Sequence, residues 1–357
     1  MSAMKGLQLR RSKALLIASV MGCLIASGQT MAADFDPHSG EVKALVDEVS
    51  ASGVSREWLN DAMDRAEFSK EVLDAMTSAA EYNLVWHSYR DIFLGEERIR
   101  EGVEFIAAHQ DAFERAEQAY GVPPEVIAAI LGVETRFGQI KGNHRVLDSL
   151  STLAFHHPRR GKFFRGELAT FLEISWNQQV EPDELVGSYA GAMGYPQFIP
   201  TSYMAYAVDF NDDGKRNLWT DPVDAIGSIG NYFAEHRWQA GVPIYFDAQG
   251  PANPPSGINF NQAKAPYISV SQLAQKGITT EADVAGDVKV VPLALELEDG
   301  STQYRMGLFN FYVITRYNHS YLYAMAVTEL AEAIAAAQLE FEAESGFIND
   351  VQREASP

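Results

Sequence analysis

Cysteine is almost missing: the chain has one, Cys23, in 357 residues. A lone thiol excludes an intramolecular disulfide framework and any cysteine-built zinc cluster. Basic charge is scarce as well. Lys and Arg number 28 against 48 Asp and Glu, a formal net charge of -20. No basic field exists to release counterions from phosphates, so nucleic acid is excluded as a partner, and adsorption to anionic lipid is disfavoured. The eight histidines form no His-Glu-x-x-His spacing, so zinc is not expected either. Long apolar runs are confined to the N-terminus, and beyond it no stretch reads as a membrane span.

What is present begins with an export signal. Lys5, Arg10, Arg11 and Lys13 precede an almost wholly apolar run from Ala14 to Ile25, and Thr30-Met31-Ala32-Ala33 supplies small residues for cleavage. Residues 1–33 are therefore read as a signal peptide that directs the protein to the periplasm. Cys23 leaves a second reading open, a lipidated N-terminus anchored in the outer membrane. Val20-Met21-Gly22-Cys23 is a poor lipobox, and the apolar run continues past it.

The remainder is 46% hydrophobic over the whole chain, enough to bury a core. Residues 34–120 read as helical: Val42, Leu45, Val46 and Val49 repeat at helical spacing, and Ser55 is placed to cap the next helix. Ile99 to Tyr120 is a further helical stretch with a break near His109. A core region is expected over 121–240, and a Gly-, Pro- and Asn-rich, β-containing insertion over 241–305. Within the insertion Val288 to Leu297 and Thr302 to Tyr304 flank the hairpin signal Asp299-Gly300. A C-terminal segment, 306–345, carries Tyr323, Val327, Leu330 and Ile334 on one helical face, and 346–357 is a tail. The fold class expected is α+β, mainly α.

One carboxylate falls where the pattern calls for an apolar residue. After Gly121-Val-Pro-Pro, Ile127, Ile130, Leu131 and Glu134 occupy i, i+3, i+4 and i+7 of one helix. Burial raises a carboxyl pKa, and a carboxylic acid kept protonated near neutral pH can donate to a glycosidic oxygen. The plainer alternative is a glutamate at the edge of the stripe, reaching solvent or an arginine.

Two motifs decide between these. Gly132-Val-Glu-Thr-Arg-Phe-Gly138 and Ser188-Tyr-Ala-Gly-Ala-Met-Gly-Tyr-Pro-Gln-Phe-Ile-Pro-Thr-Ser202 resemble the catalytic and glycan-groove motifs of the membrane-bound lytic murein transglycosylase B family. Pro158-Arg159-Arg160 and Thr315-Arg-Tyr-Asn-His-Ser320 extend the resemblance, which runs from about Tyr89 to Ile334. Pro196 departs from it, since some relatives carry glycine there. The resemblance implies a lysozyme-like core with an N-terminal helical domain. It implies cleavage of the β-1,4 bond between N-acetylmuramic acid and N-acetylglucosamine in peptidoglycan glycan strands, with a 1,6-anhydro product. By the same resemblance Glu134 is acid and then base, while Ser188 and Gln197 bind the sugar and its N-acetyl group. Tyr89, Tyr232, Tyr317 and Tyr323 are implied as aromatic walls, Met193 and Phe198 as apolar contacts, and Asn318 as a polar one. Core packing is the competing reading for each tyrosine. Arg159 and Arg160 either meet peptide-stem carboxylates or form structural ion pairs.

Asp209-Phe-Asn211-Asp-Asp213-Gly214-Lys215 matches the opening of an EF-hand loop, with Lys215 offering a backbone carbonyl. A polar turn is the plainer reading. Thr220 stands where the usual closing glutamate would be. The resemblance implies a longer loop, 209–224, closing on Asp224, with Asp221 as the fallback. All-oxygen ligands favour a structural calcium ion, and no organic cofactor is expected. Two other functions stay open: a muramidase that hydrolyses the same bond, and a calcium-stabilised glycan-binding protein without turnover.

Overall fold

Helices follow from the spacing of the apolar residues, and several ends are set by an identifiable residue. The computed structural model describes residues 34–78 and 84–354, with side chains to residue 341. The signal segment and Cys23 lie outside the described residues. On α1 (Gly40–Ala51) Val42, Leu45, Val46 and Val49 all turn inward. Ser55 caps α2 (Arg56–Asp64), its hydroxyl accepting the Trp58 N–H. α3 (Lys70–Ser78) and α4 (Trp86–Phe93) follow. The next helical stretch breaks at His109 into α5 (Glu96–Ala108) and α6 (Gln110–Tyr120), and Gly121 ends α6 with φ 68°.

α7 (Pro124–Thr135) differs from the single apolar stripe expected. Every residue from Val126 to Gly132 is buried, because α5, α6, α11 (Pro222–Glu235) and α14 (Tyr321–Glu354) pack around it. It is a central core helix, apolar on all sides until its last turn. Glu134 sits in that turn, where the packing opens.

β1 (His144–Arg145) and β2 (Val186–Gly187) pair antiparallel, enclosing α8 (Val146–His156) and α9 (Gly161–Gln178) between them in sequence. α10 (Pro200–Tyr206) begins in the last three residues of the groove motif. The second sheet has the order β3-β6-β5-β4, all antiparallel: β3 (Tyr245–Ala248), β4 (Ile268–Ser269), β5 (Lys289–Glu296) and β6 (Thr302–Gly307). β5 and β6 form the hairpin expected at Asp299-Gly300, in register at Leu293 with Arg305. A short α12 (Val270–Ala274) joins Leu273, Ile278, Val290, Tyr304 and Met306 in a small core of its own.

α13 (Phe309–Tyr317) and α14 return the chain to the main core, with Tyr323, Val327, Leu330 and Ile334 all buried. By length and composition Tyr321–Phe341 would suffice to cross a membrane, contrary to the sequence reading; 56% of its apolar window is instead packed inside the fold. The described architecture is mainly α with two small antiparallel sheets, the α+β class expected.

Candidate active site

Glu134 is held from behind by a turn with little freedom. Arg136, Phe137 and Gly138 all adopt positive φ, at 49°, 55° and 86°. Two of these are not glycine, and such strain persists only where neighbours over-determine it. Arg136 supplies one restraint, gripping Glu101 of α5 through Nε at 2.7 Å and Nη2 at 2.8 Å. Thr135 supplies another: its hydroxyl donates to the Tyr195 carbonyl at 3.0 Å and accepts the Gly138 N–H. At Gly138 a Cβ would fall 1.9 Å from the Tyr195 ring, so this position requires glycine. The turn therefore locks the acid to the loop that carries the groove motif.

Three phenols surround the carboxyl. Tyr323 Oη donates to Glu134 Oε1 at 2.6 Å. The Tyr317 ring stacks near-parallel on Tyr323, centroids 6.3 Å apart, and its hydroxyl donates to the Pro196 carbonyl. Tyr89, Tyr317 and Tyr323 are each harder to ionise than usual, through burial first and the nearby Glu134 second. Glu134 as a residue is only partly buried, yet protein atoms crowd its carboxyl. Burial raises its pKa from 4.5 to about 7, against the Tyr323 hydrogen bond, which favours the charged form. The limb of the activity profile that needs protonated Glu134 should therefore fall as pH rises through about 7. Tyr323→Phe removes the one favourable hydrogen bond and should move that limb to higher pH. A pH–kcat/KM profile of both proteins checks this; a limb unmoved or moved downward contradicts it.

The groove motif forms a tight meander, with bridges Gly187 to Met193 and Met193 to Phe198. Ser188 Oγ accepts the N–H groups of Ala190 and Ala192, leaving its own proton to donate. Gln197, at φ 50°, gives its Nε2 to the carbonyls of Gly194 and Lys141, leaving Oε1 to accept. Phe198 joins an aromatic cluster with Tyr232 and Tyr317, 5.7 and 5.8 Å away. Met193, Tyr323, Phe198 and Tyr232, whose hydroxyl donates to the Arg316 carbonyl, are all buried, so these four expected contacts lie beneath the surface layer, and of the expected walls only Tyr89 and Tyr317 are partly exposed. At Pro196 the contact used is a carbonyl, which proline keeps. Asn318 is exposed at the end of α13. Arg159 and Arg160 are exposed at the α8–α9 junction, apart from this cluster; Arg160 lies over Phe163, and neither forms an ion pair among the described residues.

Sequence reasoning missed the anchoring of the walls. Tyr89 rides on α4, which Arg90 ties to Glu329 of α14 at 2.7 Å. The other Glu329 oxygen lies 3.0 Å from Arg305 of β6. Lys141, also unforeseen, donates to the Trp219 carbonyl and covers the Tyr195 ring at 4.4 Å.

In the 209–224 loop, Asp209 accepts the N–H groups of Asp213 and Gly214, Asn211 that of Asp213, and Asp213 that of Lys215. Their oxygens are thus gathered on the inner side of the loop, and the Lys215 carbonyl takes no hydrogen bond among the described residues. Asp224 is fully buried, its two oxygens accepting from Phe210 and Asn217. Its pKa is raised by burial and then by Asp221 and Asp209. Asp221 instead caps α11 and accepts from the Asn211 amide. No three His, Cys, Asp or Glu of the described residues converge into a ready-made metal cluster. The donor set nevertheless suits a hard cation: oxygens at alternate positions and a buried carboxylate facing acidic neighbours with no described cation of its own.

A family model described as the transglycosylase SLT domain matches residues 38–332. Membrane-bound lytic murein transglycosylase B of Escherichia coli (strain K12) is 43% identical over 321 residues, 87% of this chain and 86% of that protein. The crystal structure of soluble lytic transglycosylase SltB1 from Pseudomonas aeruginosa superposes with a TM-score of 0.78 at 44% identity, covering 84% of this chain and 99% of that one. The Escherichia coli lytic transglycosylase Slt35 in complex with calcium gives 0.76 at 44% identity, covering 83% and 93%. The matched span and the identity together place the chain in the transglycosylase SLT domain family, among the lytic murein transglycosylases.

Proposed function

We propose that the protein cleaves the β-1,4 bond between N-acetylmuramic acid and N-acetylglucosamine without water, with Glu134 as its one acid/base. The observation that supports this is the setting of Glu134: burial and the Tyr323 phenol act on it, and among the described residues no second carboxylate does. A hydrolase of either stereochemistry needs a partner carboxylate to serve as nucleophile or to activate water. An internal nucleophile dispenses with it. Protonated Glu134 donates to the glycosidic oxygen as its bond to C1 breaks, and the muramyl N-acetyl oxygen steadies the developing charge. The Glu134 carboxylate then takes the proton of the muramyl 6-hydroxyl as that oxygen closes on C1. The acid is regenerated, and a 1,6-anhydro ring replaces a reducing end. Ser188 as donor and Gln197 Oε1 as acceptor suit the N-acetyl group and sugar hydroxyls, while the partly exposed rings of Tyr89 and Tyr317 suit its CH faces. Digested sacculi should accumulate no new reducing ends; their appearance in step with cleavage would make the protein a muramidase.

The loop of Asp209, Asn211, Asp213 and Lys215, closed by Asp224, is proposed to hold calcium as a structural ion. Bound there, the ion would neutralise carboxylates that otherwise repel one another in an acidic chain. No catalytic step needs it, since the acid lies on α7. Calcium should raise the melting temperature by an amount that grows with free ion over Kd, and Asp209→Ala should remove that dependence while sparing activity at low temperature. Thermal melts with chelator and with calcium, paired with activity on the same samples, test this. Loss of turnover in chelated but folded protein would make the ion catalytic. A peptidoglycan substrate supports a periplasmic location, with the protein either soluble or anchored through Cys23; the intact mass of natively expressed protein separates these.

A further inference from the structure

Two of the five tryptophans meet at the surface near the C-terminal end of α9. Trp58 of α2 and Trp176 of α9 stand edge to face, ring centroids 5.5 Å apart at 64°. Trp176 is 37% exposed, although an indole at a helix end is a large apolar group to leave in water. An open cavity of about 540 Å³ lies around the pair, walled also by Asn177, Gln179 and Glu181. Neither Glu134 nor any residue of the 188–202 motif lines it.

The backbone adds an independent sign. Gln179 ends α9 in the left-handed region, at φ 56° and ψ 45°. Glycine or asparagine adopts that cap with less strain, and the glutamine here adds an amide to the cavity wall. The chemistry of the wall is selective. Indole faces suit the CH face of a pyranose, and amides suit hydroxyl and N-acetyl groups. The Glu181 carboxylate disfavours an anion, and the neighbouring Arg65 is already engaged by Glu181 at 2.9 Å and Asp183 at 2.7 Å.

We propose that this pocket is a second saccharide-binding site, taking an N-acetylated hexose of the murein away from the catalytic carboxyl. The proposal rests on the glycan reading of the protein. Glu181 lies in the same segment as Ser188, at most ~25 Å away along the chain. A polymer held at both places stays at high effective concentration over Glu134 between turnovers.

The test uses the full chain carrying Glu134→Gln, so that binding is read without cleavage, and purified sacculi as the probe. In that background Trp176→Ala should weaken co-sedimentation roughly three- to tenfold with an unchanged melting temperature. Trp176→Tyr, which keeps a ring, should restore most of it. Gln179→Gly keeps the left-handed backbone and removes only the amide. It should weaken sedimentation roughly two- to threefold, and it serves if Trp176→Ala does not fold. Folded variants that sediment like their parent overturn the second site and leave the catalytic reading standing. A parent that does not sediment at all counts against the glycan reading first, and the second site falls with it.

Discussion

Glu134→Gln is expected to lose cleavage of purified sacculi by at least roughly 10⁴-fold while the protein stays folded. General acid–base catalysis commonly contributes ~10²–10⁴-fold, and a group that serves as acid and base in turn belongs at the upper end. The substitution is nearly isosteric, and its amide oxygen can still accept from Tyr323, so binding should survive. Stability should even rise at high pH. In the wild type the folded-state pKa of Glu134 is about 7, above 4.5, so the folded state binds the proton more tightly. That contribution is complete below about 4.5 and is lost as pH rises through about 7. A glutamine has no proton to lose, so the variant should melt higher than wild type at pH 8 and alike at pH 4. Turnover within tenfold of wild type would remove Glu134 from the mechanism.

The second large effect is on stability. Glu329 lies between Arg90 and Arg305, and Arg305 is only 8% exposed. The Arg305 contact is a charge contact without hydrogen-bond alignment, so Coulomb attraction is most of what balances its burial. Glu329→Gln removes the buried carboxylate that faces Arg305 and leaves the guanidinium only the exposed Asp247 at 3.5 Å and the Tyr245 ring at 4.2 Å, so it should cost up to about 3 kcal/mol, a fall in Tm on the order of 5 °C. Because Arg90 neighbours Tyr89 on α4, the glycan wall loosens with it, and KM should rise more than kcat falls. Adding Arg305→Met to the variant should recover most of the stability, since no unpaired buried charge then remains. A single variant as stable as wild type, or a double variant no better than the single, would contradict this.

What could be read from the chain divides along sequence distance. The break at His109, the cap at Gly121 and the β5–β6 hairpin are local and were legible, each set by one or two residues in a short window. Glu134 was legible as a polar residue in an apolar helix, although the all-round burial of α7 was not. Periodicity measures one helix and says nothing of how many others pack on it. The partners of the acid lie far off: Tyr323 is 189 residues from Glu134, and Arg90 is 239 from Glu329. Such pairs leave no trace in spacing. Tyr323 was expected as a wall, and its role as hydrogen-bond donor to Glu134 needed the fold. β3 is four residues of mixed character whose pairing with β6 depends on closure of the whole insertion. Resemblance reached further than periodicity, because its motifs carry residues whose neighbours are already fixed.

The central claim, a cleavage into which no water enters, is tested most directly by digesting sacculi in water enriched in ¹⁸O. Mass analysis of the released muropeptides should show 1,6-anhydro ends without ¹⁸O at C1, about 20 Da lighter than ends hydrolysed by ¹⁸O water. Products carrying one ¹⁸O at each new muramyl end would show that water is the nucleophile and that the protein is a hydrolase.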